Sequence, residues 1–289
     1  SEKLLEQLGS CEVHTLSMMD RFDYSGLKVI QKRILYSEMV RYWSGILEKY
    51  LPDAVFFSIP PHMVYDFVLY CLCKSHGIRT VMLDNTRIPG RIPNAEDFKV
   101  GNAEILKNLK KYSETEIKIE HLAPQMQKYL DQFGPHVDKV PTNVQRFFDF
   151  KNFYKSNSLF SKISAFLRHP RSTVRNFLRV PYLTNESNYN FFNYRLNQYR
   201  WEQLKRKFLR EYNALSAPVN LNQPFAFFPL QYQPERTSNP IGGAYTNQKL
   251  AIETLRVSIP QDWVIYIKEH PKQVFPGGSH AHQGRYLGY

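Results

Sequence analysis

The sequence predicts an α/β protein with two doubly wound, Rossmann-like domains, a helical insertion between them and a truncated second domain. Three observations predict this class. Over residues 1–100, short apolar segments alternate with helical patterns, which indicates βαβ units and a parallel sheet. Residues 101–216 form a polar, basic and helical stretch. The alternation of strand and helix starts again over residues 217–289, which predicts a second α/β domain.

The composition is that of a folded chain that does not span a membrane. Apolar residues make up 43% and aromatic residues 15% of the chain, which is enough burial to offset the entropy cost of folding. The most apolar stretch, Met63–Cys73, contains Asp66 and is too short to cross a bilayer. Three cysteines without metal-binding spacing and the lack of a secretory leader predict a cytoplasmic location, and we expect both ends to be cuts.

The amino-terminal elements follow from the spacing of apolar residues. Val13–Met18 is predicted as a strand, and Leu27–Tyr50 as a long amphipathic helix. Ala54–Ile59 is almost wholly apolar, which predicts a central strand covered on both faces. Met63–Cys73 is then predicted as a helix and Ile78–Leu83 as the next strand, completing a doubly wound half-domain.

The middle of the chain carries most of its charge. Between residues 146 and 211 lie fourteen basic and four acidic side chains, against a formal net charge of +12 for the whole chain. The partner is therefore expected to be anionic: membrane phospholipid, a pyrophosphoryl-lipid acceptor or nucleic acid. Ser161–Leu183 mixes apolar and basic residues, so it either lies on an anionic membrane or packs as a solvated basic helix. The predicted helices are Ile105–Tyr112, Leu122–Phe133 and Tyr189–Ala214.

A second α/β unit is predicted after the linker Ala217–Pro224. Its elements are a strand at Phe225–Phe228, a helix at Asn247–Ile259 and a strand at Trp263–Ile267. Only eighteen residues follow Pro271, too few for the rest of a nucleotide-binding domain.

Two polar segments follow the strands of this second unit, where open α/β sheets bind ligands. Pro229–Gly243 contains prolines, polar side chains and the pair Gly242-Gly243. These glycines either let backbone N–H groups approach a phosphate or only satisfy the turn geometry. Lys268-Glu269-His270-Pro271 ends the next strand, and His270 either donates to a phosphate or has a structural role.

In combination, these segments resemble the bacterial capsule polysaccharide, or surface carbohydrate, biosynthesis glycosyltransferases, which are related to the Kdo transferases of capsule synthesis. The likeness covers Phe228–Gly243, the helix after it and Trp263–Pro271. It also covers Pro61–Asp66 and Thr86–Arg91 in the amino-terminal half, whereas the basic middle carries no motif of this group.

The resemblance implies a GT-B architecture, with the nucleotide bound mainly by the carboxyl-terminal domain and the acceptor by the amino-terminal one. Related enzymes use CMP-activated sugars and a His-Pro motif that contacts the CMP phosphate, a role that would fall on His270 and Pro271. No Asp-x-Asp occurs, so we expect no metal and no cofactor beyond the nucleotide-sugar co-substrate. The other residues expected to bind this co-substrate are Lys268, Glu269, Gln231, Gln233, Glu235, Gly242 and Gly243.

Glycosyl transfer also requires a base or nucleophile near the acceptor hydroxyl. The candidate catalytic residues are Asp84, at the end of a predicted strand, and then His62 and Asp66, although Asp66 could simply face solvent. Arg87 and Arg91 either hold a pyrophosphate or acidic sugar or remain solvated. Further options for the base are Glu235 and Glu269.

The expected function is transfer of a hexosyl or Kdo/sialyl-type sugar to a lipid-linked or oligosaccharide acceptor at the inner face of the plasma membrane. The chain as given is expected to be inactive alone. A sugar-nucleotide epimerase or export accessory of similar fold stays open, as does a non-catalytic module that binds membrane or nucleic acid. No nucleic-acid motif accompanies the basic segment, which favours the enzyme over the module.

Overall fold

The protein is a mixed α/β chain that divides into two compact units. A computed structural model describes residues 8–19, 27–84, 86, 88, 90–131, 159–172, 174, 191–233, 235–270 and 273. The first unit contains the helices and strands up to residue 131 together with the segment Glu235–Thr246. The second unit contains the later helices and strands.

The first unit begins with two helices and a β-α-β crossover. Its elements are α1 (Gly9–Met19), α2 (Val29–Tyr50), β1 (Ala54–Phe57), α3 (Val64–Ser75) and β2 (Arg79–Leu83). The short strand β3 (Asn94–Ala95) and the helices α4 (Ala103–Tyr112) and α5 (Pro124–Asp131) follow. The predicted helices over 27–50, 63–73, 105–112 and 122–133 and the strand over 78–83 are confirmed to within a few residues.

The sheet of this unit combines a parallel and an antiparallel pair. β1 pairs with β2 in parallel, with Ala54 opposite Arg79 and Phe57 opposite Met82. β3 is antiparallel to β2, so among the described strands β2 is central and β1 lies at an edge. The predicted central position of the first apolar strand is therefore wrong. Phe56 in this strand is 63% exposed. An apolar run therefore does not require that both faces of the strand are buried.

The strand predicted at Val13–Met18 is also wrong, because these residues belong to helix α1. The buried side chains of α1 include Cys11, Thr15 and Met18, whose spacing of three to four residues is helical. Val13 is 68% exposed. A run of six residues is too short to distinguish the helical period from the strand period. Because these residues form a helix, the described first unit has one β-α-β crossover instead of the expected strand-helix-strand-helix-strand order.

The core of the first unit lies around α3, which packs against α1, α2 and β2. Val68, Leu72 and Cys73 on this helix are fully buried. The thiols of Cys71 and Cys11, on α3 and α1, share a hydrogen bond, which lowers the pKa of Cys11 and raises that of Cys71. All three cysteines are free thiols, so helix α3 is held by packing and not by disulfides. The remaining buried apolar residues of this core are Leu8, Cys11, Met18, Met19, Tyr36, Leu47, Phe57, Phe67, Tyr70 and Met82.

The second unit contains helices α6 (Leu159–Arg168), α7 (Phe191–Leu215) and α8 (Gln248–Ser258), and strands β4 (Phe225–Pro229) and β5 (Val264–Lys268). β4 and β5 pair in parallel from Phe225 opposite Val264 to Pro229 opposite Lys268. The predicted strands at 225–228 and 263–267 and the predicted helices at 189–214 and 247–259 are confirmed. Helix α6 covers the start of Ser161–Leu183, whereas residues 173 and 175–183 lie outside the described residues.

The helix ends follow from local sequence. Leu51, with φ 44°, ends α2 in the left-handed region just before Pro52, and Gly77, with φ 70°, follows α3. Asn102 and Asn247 cap α4 and α8, each accepting a backbone N–H through its side chain. Across the described ranges, no helix combines the length and apolar character needed to cross a bilayer.

Candidate functional site

Two loops follow the parallel strands of the first unit at one edge of the sheet. Pro60, Pro61 and His62 come after β1, and Asp84 comes after β2. Because the carboxyl ends of parallel strands share an edge, both loops begin on the same side of the sheet. This edge carries the candidate catalytic residues.

Asp84 is held in an ion pair with Arg236. The guanidinium Nη2 donates to Asp84 Oδ1 at 2.6 Å, and the side chains are 27% exposed for the arginine and 43% for the aspartate. The backbone N–H of Asp84 donates to the carbonyl oxygen of Pro93, which fixes the start of the loop. One oxygen of the leading candidate base is therefore occupied by a cation, and the arginine brings positive charge to this edge.

Asp66 and His62 come together at the start of α3. Asp66 Oδ1 accepts the backbone N–H of Met63 at 2.7 Å, and the backbone N–H of His62 also donates to this carboxylate. Burial raises the pKa of Asp66 to about 6 against these opposing hydrogen bonds. Asp66 is therefore only partly exposed to solvent, and its immediate role is to cap the helix. His62 Nδ1 lies 2.9 Å from the carbonyl oxygen of Pro60.

The loop after Asp84 is closed by two hydrogen bonds to backbone carbonyl oxygens. Thr86 Oγ1 donates to the carbonyl oxygen of Arg91 at 2.7 Å, and the Arg91 N–H donates to Ile88. The side chain of Arg91 is exposed, which is compatible with the predicted contact to an anion. Arg87 lies outside the described residues.

Glu235–Thr246 forms a compact turn that belongs to the first unit. Ser238 bonds back to both the N–H and the carbonyl oxygen of Glu235 through its hydroxyl. The Asn239 side chain is buried, accepts from His14 Nδ1 at 2.8 Å and donates to the His14 carbonyl oxygen. Glu235, expected beside the nucleotide, therefore lies in the same unit as Asp84.

Gly242 is required by the geometry of this turn. A Cβ atom there would overlap the backbone carbonyl of Ser238. Gly243 has φ 54°, in the left-handed region that glycine tolerates best. Helix α8 begins only at Gln248, after the cap Asn247, so the glycine pair does not form its amino terminus. These contacts support the interpretation that Gly242 and Gly243 satisfy the turn geometry, and not that they bind a phosphate.

In the second unit, the loop after β4 is fixed by amide side chains. Gln248, the first residue of α8, accepts the Gln231 backbone N–H at 2.6 Å and donates to the Gln231 carbonyl oxygen at 3.0 Å. Gln273 Nε2 donates to the carbonyl oxygen of Gln233, whose side chain is fully buried. Gln231 and Gln233 thus contribute backbone groups to a fixed loop.

The loop after β5 lies beside this one. The rings of Tyr232 and His270 are 5.6 Å apart between centroids, which brings the ends of both strands together. The backbone N–H of His270 donates to Glu269 Oε1 at 2.6 Å, and Glu269 is buried. Lys268 is exposed at the strand end, whereas Pro271 lies outside the described residues.

Several residues that hold the candidate site residues in place were not identified from the sequence. Arg236 lies within the loop noted for its polar character, but its partner is 152 residues away in the chain. His14 and Asn239 are separated by 225 residues. Gln248 could have been suspected from its place at the helix start. Long-range pairs of this kind leave no periodic signal in a single sequence.

Comparison with protein-family models, with curated proteins and with solved structures finds no match to this chain. Within the described ranges, no three His, Cys, Asp or Glu side chains cluster in a way that could hold a metal ion. Function therefore has to be inferred from the chemistry of the two strand edges.

We predict that Asp84 and Arg236 are energetically coupled. A double-mutant cycle of Asp84→Asn and Arg236→Gln should give a coupling of about 0.5–1 kcal/mol in urea unfolding, decreasing at high salt. The matched control is Lys249 with Glu253, an exposed pair at 3.6 Å on α8 that should couple by about 0.5 kcal/mol or less. A coupling of zero for Asp84 and Arg236 would contradict the ion pair.

We predict that Asp66 makes stability depend on pH. Its folded-state pKa of about 6 exceeds the ordinary value of 3.8, so its contribution is fully present below the ordinary value and is lost as the pH rises toward 6. Asp66→Asn keeps an acceptor for the Met63 N–H and removes the partly buried charge. The unfolding free energy of this variant, measured relative to that of wild type, should therefore increase by on the order of 2–3 kcal/mol as the pH rises across that window.

The measurement is urea unfolding at several pH values from about 4 to about 7. Asp53→Asn is the control, because Asp53 is exposed in the same unit. Equal pH dependence of Asp66→Asn and wild type would show that the folded-state pKa of Asp66 is not raised.

We predict opposite effects for two glycine substitutions. Gly242→Ala should destabilise the first unit by about 1–3 kcal/mol, since the new methyl group meets backbone. Gly45→Ala should stabilise it by about 0.5–1 kcal/mol, because Gly45 lies inside α2 with no atom within 4 Å of the added Cβ. Thermal unfolding of both variants tests this, and an unchanged midpoint for Gly242→Ala would exclude the tight turn.

Proposed function

We propose that the chain is a glycosyltransferase of bacterial capsule or surface polysaccharide synthesis, which transfers a sugar from a CMP-linked donor to a lipid-linked or oligosaccharide acceptor. The observation that supports this most is the pairing of the two strand ends in the second unit. Gln231 and Gln233 follow β4, Glu269 and His270 follow β5, and the rings of Tyr232 and His270 are 5.6 Å apart. The segments that carry the resemblance are thus neighbours in space.

In this proposal His270 binds the donor phosphate through its ring. Its backbone N–H is already engaged by Glu269, so a phosphate would be recognised by the imidazole. Tyr232 packs against that imidazole and limits its orientation. Exposed Lys268, two residues before His270 at the end of β5, adds positive charge for the same anion. No metal is assigned to this step.

The acceptor side of the proposal lies in the first unit. Asp84 is the proposed base, with Asp66 and His62 as the other candidates near the same sheet edge. A carboxylate can accept the acceptor's hydroxyl proton as the oxygen attacks the sugar carbon and the nucleotide departs with the bonding pair. Arg236 donates a hydrogen bond to one Asp84 oxygen and holds it in place. Arg91 is proposed to contact an acidic sugar. A GT-B arrangement of two Rossmann-like domains is part of this proposal.

The proposed location is the cytoplasmic face of the plasma membrane. Helix α6 exposes Ile163, Phe166 and Leu167 beside basic residues such as Arg168. Exposed apolar side chains among cations are suited to an anionic lipid surface. A lipid-linked acceptor would be presented at such a surface.

We predict that CMP binds and that binding depends on His270. In isothermal titration calorimetry with CMP and a CMP-sugar, His270→Ala should weaken binding about 10–100-fold, the loss expected for one charge-assisted hydrogen bond. The matched control is His169→Ala, because His169 is also followed by a proline and is exposed elsewhere in the second unit.

Two outcomes would contradict the proposal. CMP and CMP-sugars could fail to bind while other nucleotide sugars bind, which would point to another donor or to an epimerase. RNA could instead bind with steep salt dependence and without nucleotide affinity, which would favour the non-catalytic module.

A further inference from the structure

A surface cavity of about 300 Å³ lies between α2 and the start of α3 in the first unit. Its volume is at the lower end of small-molecule sites, about 300–1,000 Å³. The proposed function assigns no role to the residues that line it. These residues are Leu35, Glu38, Met39, Tyr42, Trp43 and Tyr65.

Three aromatic rings form the sides of this cavity. The ring centroids of Tyr42 and Trp43 are 5.4 Å apart and the ring planes meet at 70°, so these two neighbours form adjacent walls. Tyr65 contributes the third ring from α3. Tyr42 and Tyr65 are 64% and 53% exposed, which leaves their rings accessible from solvent. A ligand that enters would therefore meet aromatic surface from several directions.

The rest of the lining is almost wholly apolar, and Glu38 is the one acidic residue that borders the cavity. Leu35 and Met39 pack against the core. Glu38 lies on the exposed side of α2, and none of the ion pairs formed by the described residues includes it. The cavity thus combines aromatic rings with an exposed carboxylate at its border that takes part in none of these ion pairs.

We propose that this cavity binds a small, free organic ammonium compound of the quaternary or alkylated class. The faces of tyrosine and tryptophan rings attract such a cation, and Glu38 supplies the opposite charge. A neutral sugar fits less well, because its many hydroxyl groups need hydrogen-bond partners that a mostly apolar lining does not offer.

The test compares choline with 3,3-dimethylbutan-1-ol, its uncharged isostere, on the full chain. Binding is followed by relaxation of the ligand methyl signals in proton NMR at constant ionic strength. Choline should bind at least about tenfold more tightly than the isostere, because only the cation gains from the rings and from Glu38. Equal affinities would overturn the proposal, as would a failure of choline to bind at millimolar concentration.

Variants then assign the binding to this cavity. Glu38→Gln should weaken choline binding several-fold without changing binding of the isostere. Glu48→Gln should have no effect, because Glu48 is an exposed carboxylate of the same helix that does not line the cavity. Tyr65→Leu should weaken choline binding and Tyr65→Phe should restore it, since the ring face and not the hydroxyl is used.

Wild-type choline affinity in both Glu38→Gln and Tyr65→Leu would overturn the proposal. Phosphatidylcholine vesicles form a second arm, which separates a lipid headgroup from a free ligand. If the protein sediments with these vesicles in a Glu38-dependent way but does not bind free choline, the ammonium group belongs to a lipid headgroup. That result would overturn the proposal of a free ligand.

Discussion

The parallel pairing of β1 with β2 is the constraint on which the first unit depends. Two parallel strands cannot be joined by a tight turn, so the chain must cross over the sheet, and α3 supplies this crossover. Burial of Val68, Leu72 and Cys73 holds the helix in place. Because of the crossover, both strands end at the same edge of the sheet. His62 and Asp84, which follow these strands, therefore lie at that edge.

The elements of this fold were largely predictable from the sequence, because they depend on local periodicity. The stripe along α2 and the apolar segments of β2, β4 and β5 carry their own signal. The failures have physical causes. Val13–Met18 is wrongly predicted as a strand because the helical spacing of the buried residues becomes visible only when Cys11 is included. Ala54–Phe57 lies at an edge of the described sheet, although its composition is that of a buried strand.

The candidate site was predictable only in part. Residues that follow strands could be named in advance, since the strands themselves were found, and Asp84, Gln231 and His270 are of this kind. Their partners could not be named. Arg236 reaches Asp84 and Gln248 holds Gln231 through contacts that depend on tertiary packing. The partial burial of Asp66, which raises its pKa, is likewise a property of the folded chain.

The segment Glu235–Thr246 makes the first unit discontinuous along the chain. An expression fragment that stopped shortly after α5 would retain Asp84 and His14 but would lack Arg236 and Asn239, their partners. Such a fragment would expose a carboxylate and an imidazole that the whole protein keeps engaged. Dissection of this protein into parts therefore requires a design that carries residues 235–246 along with the amino-terminal helices and strands.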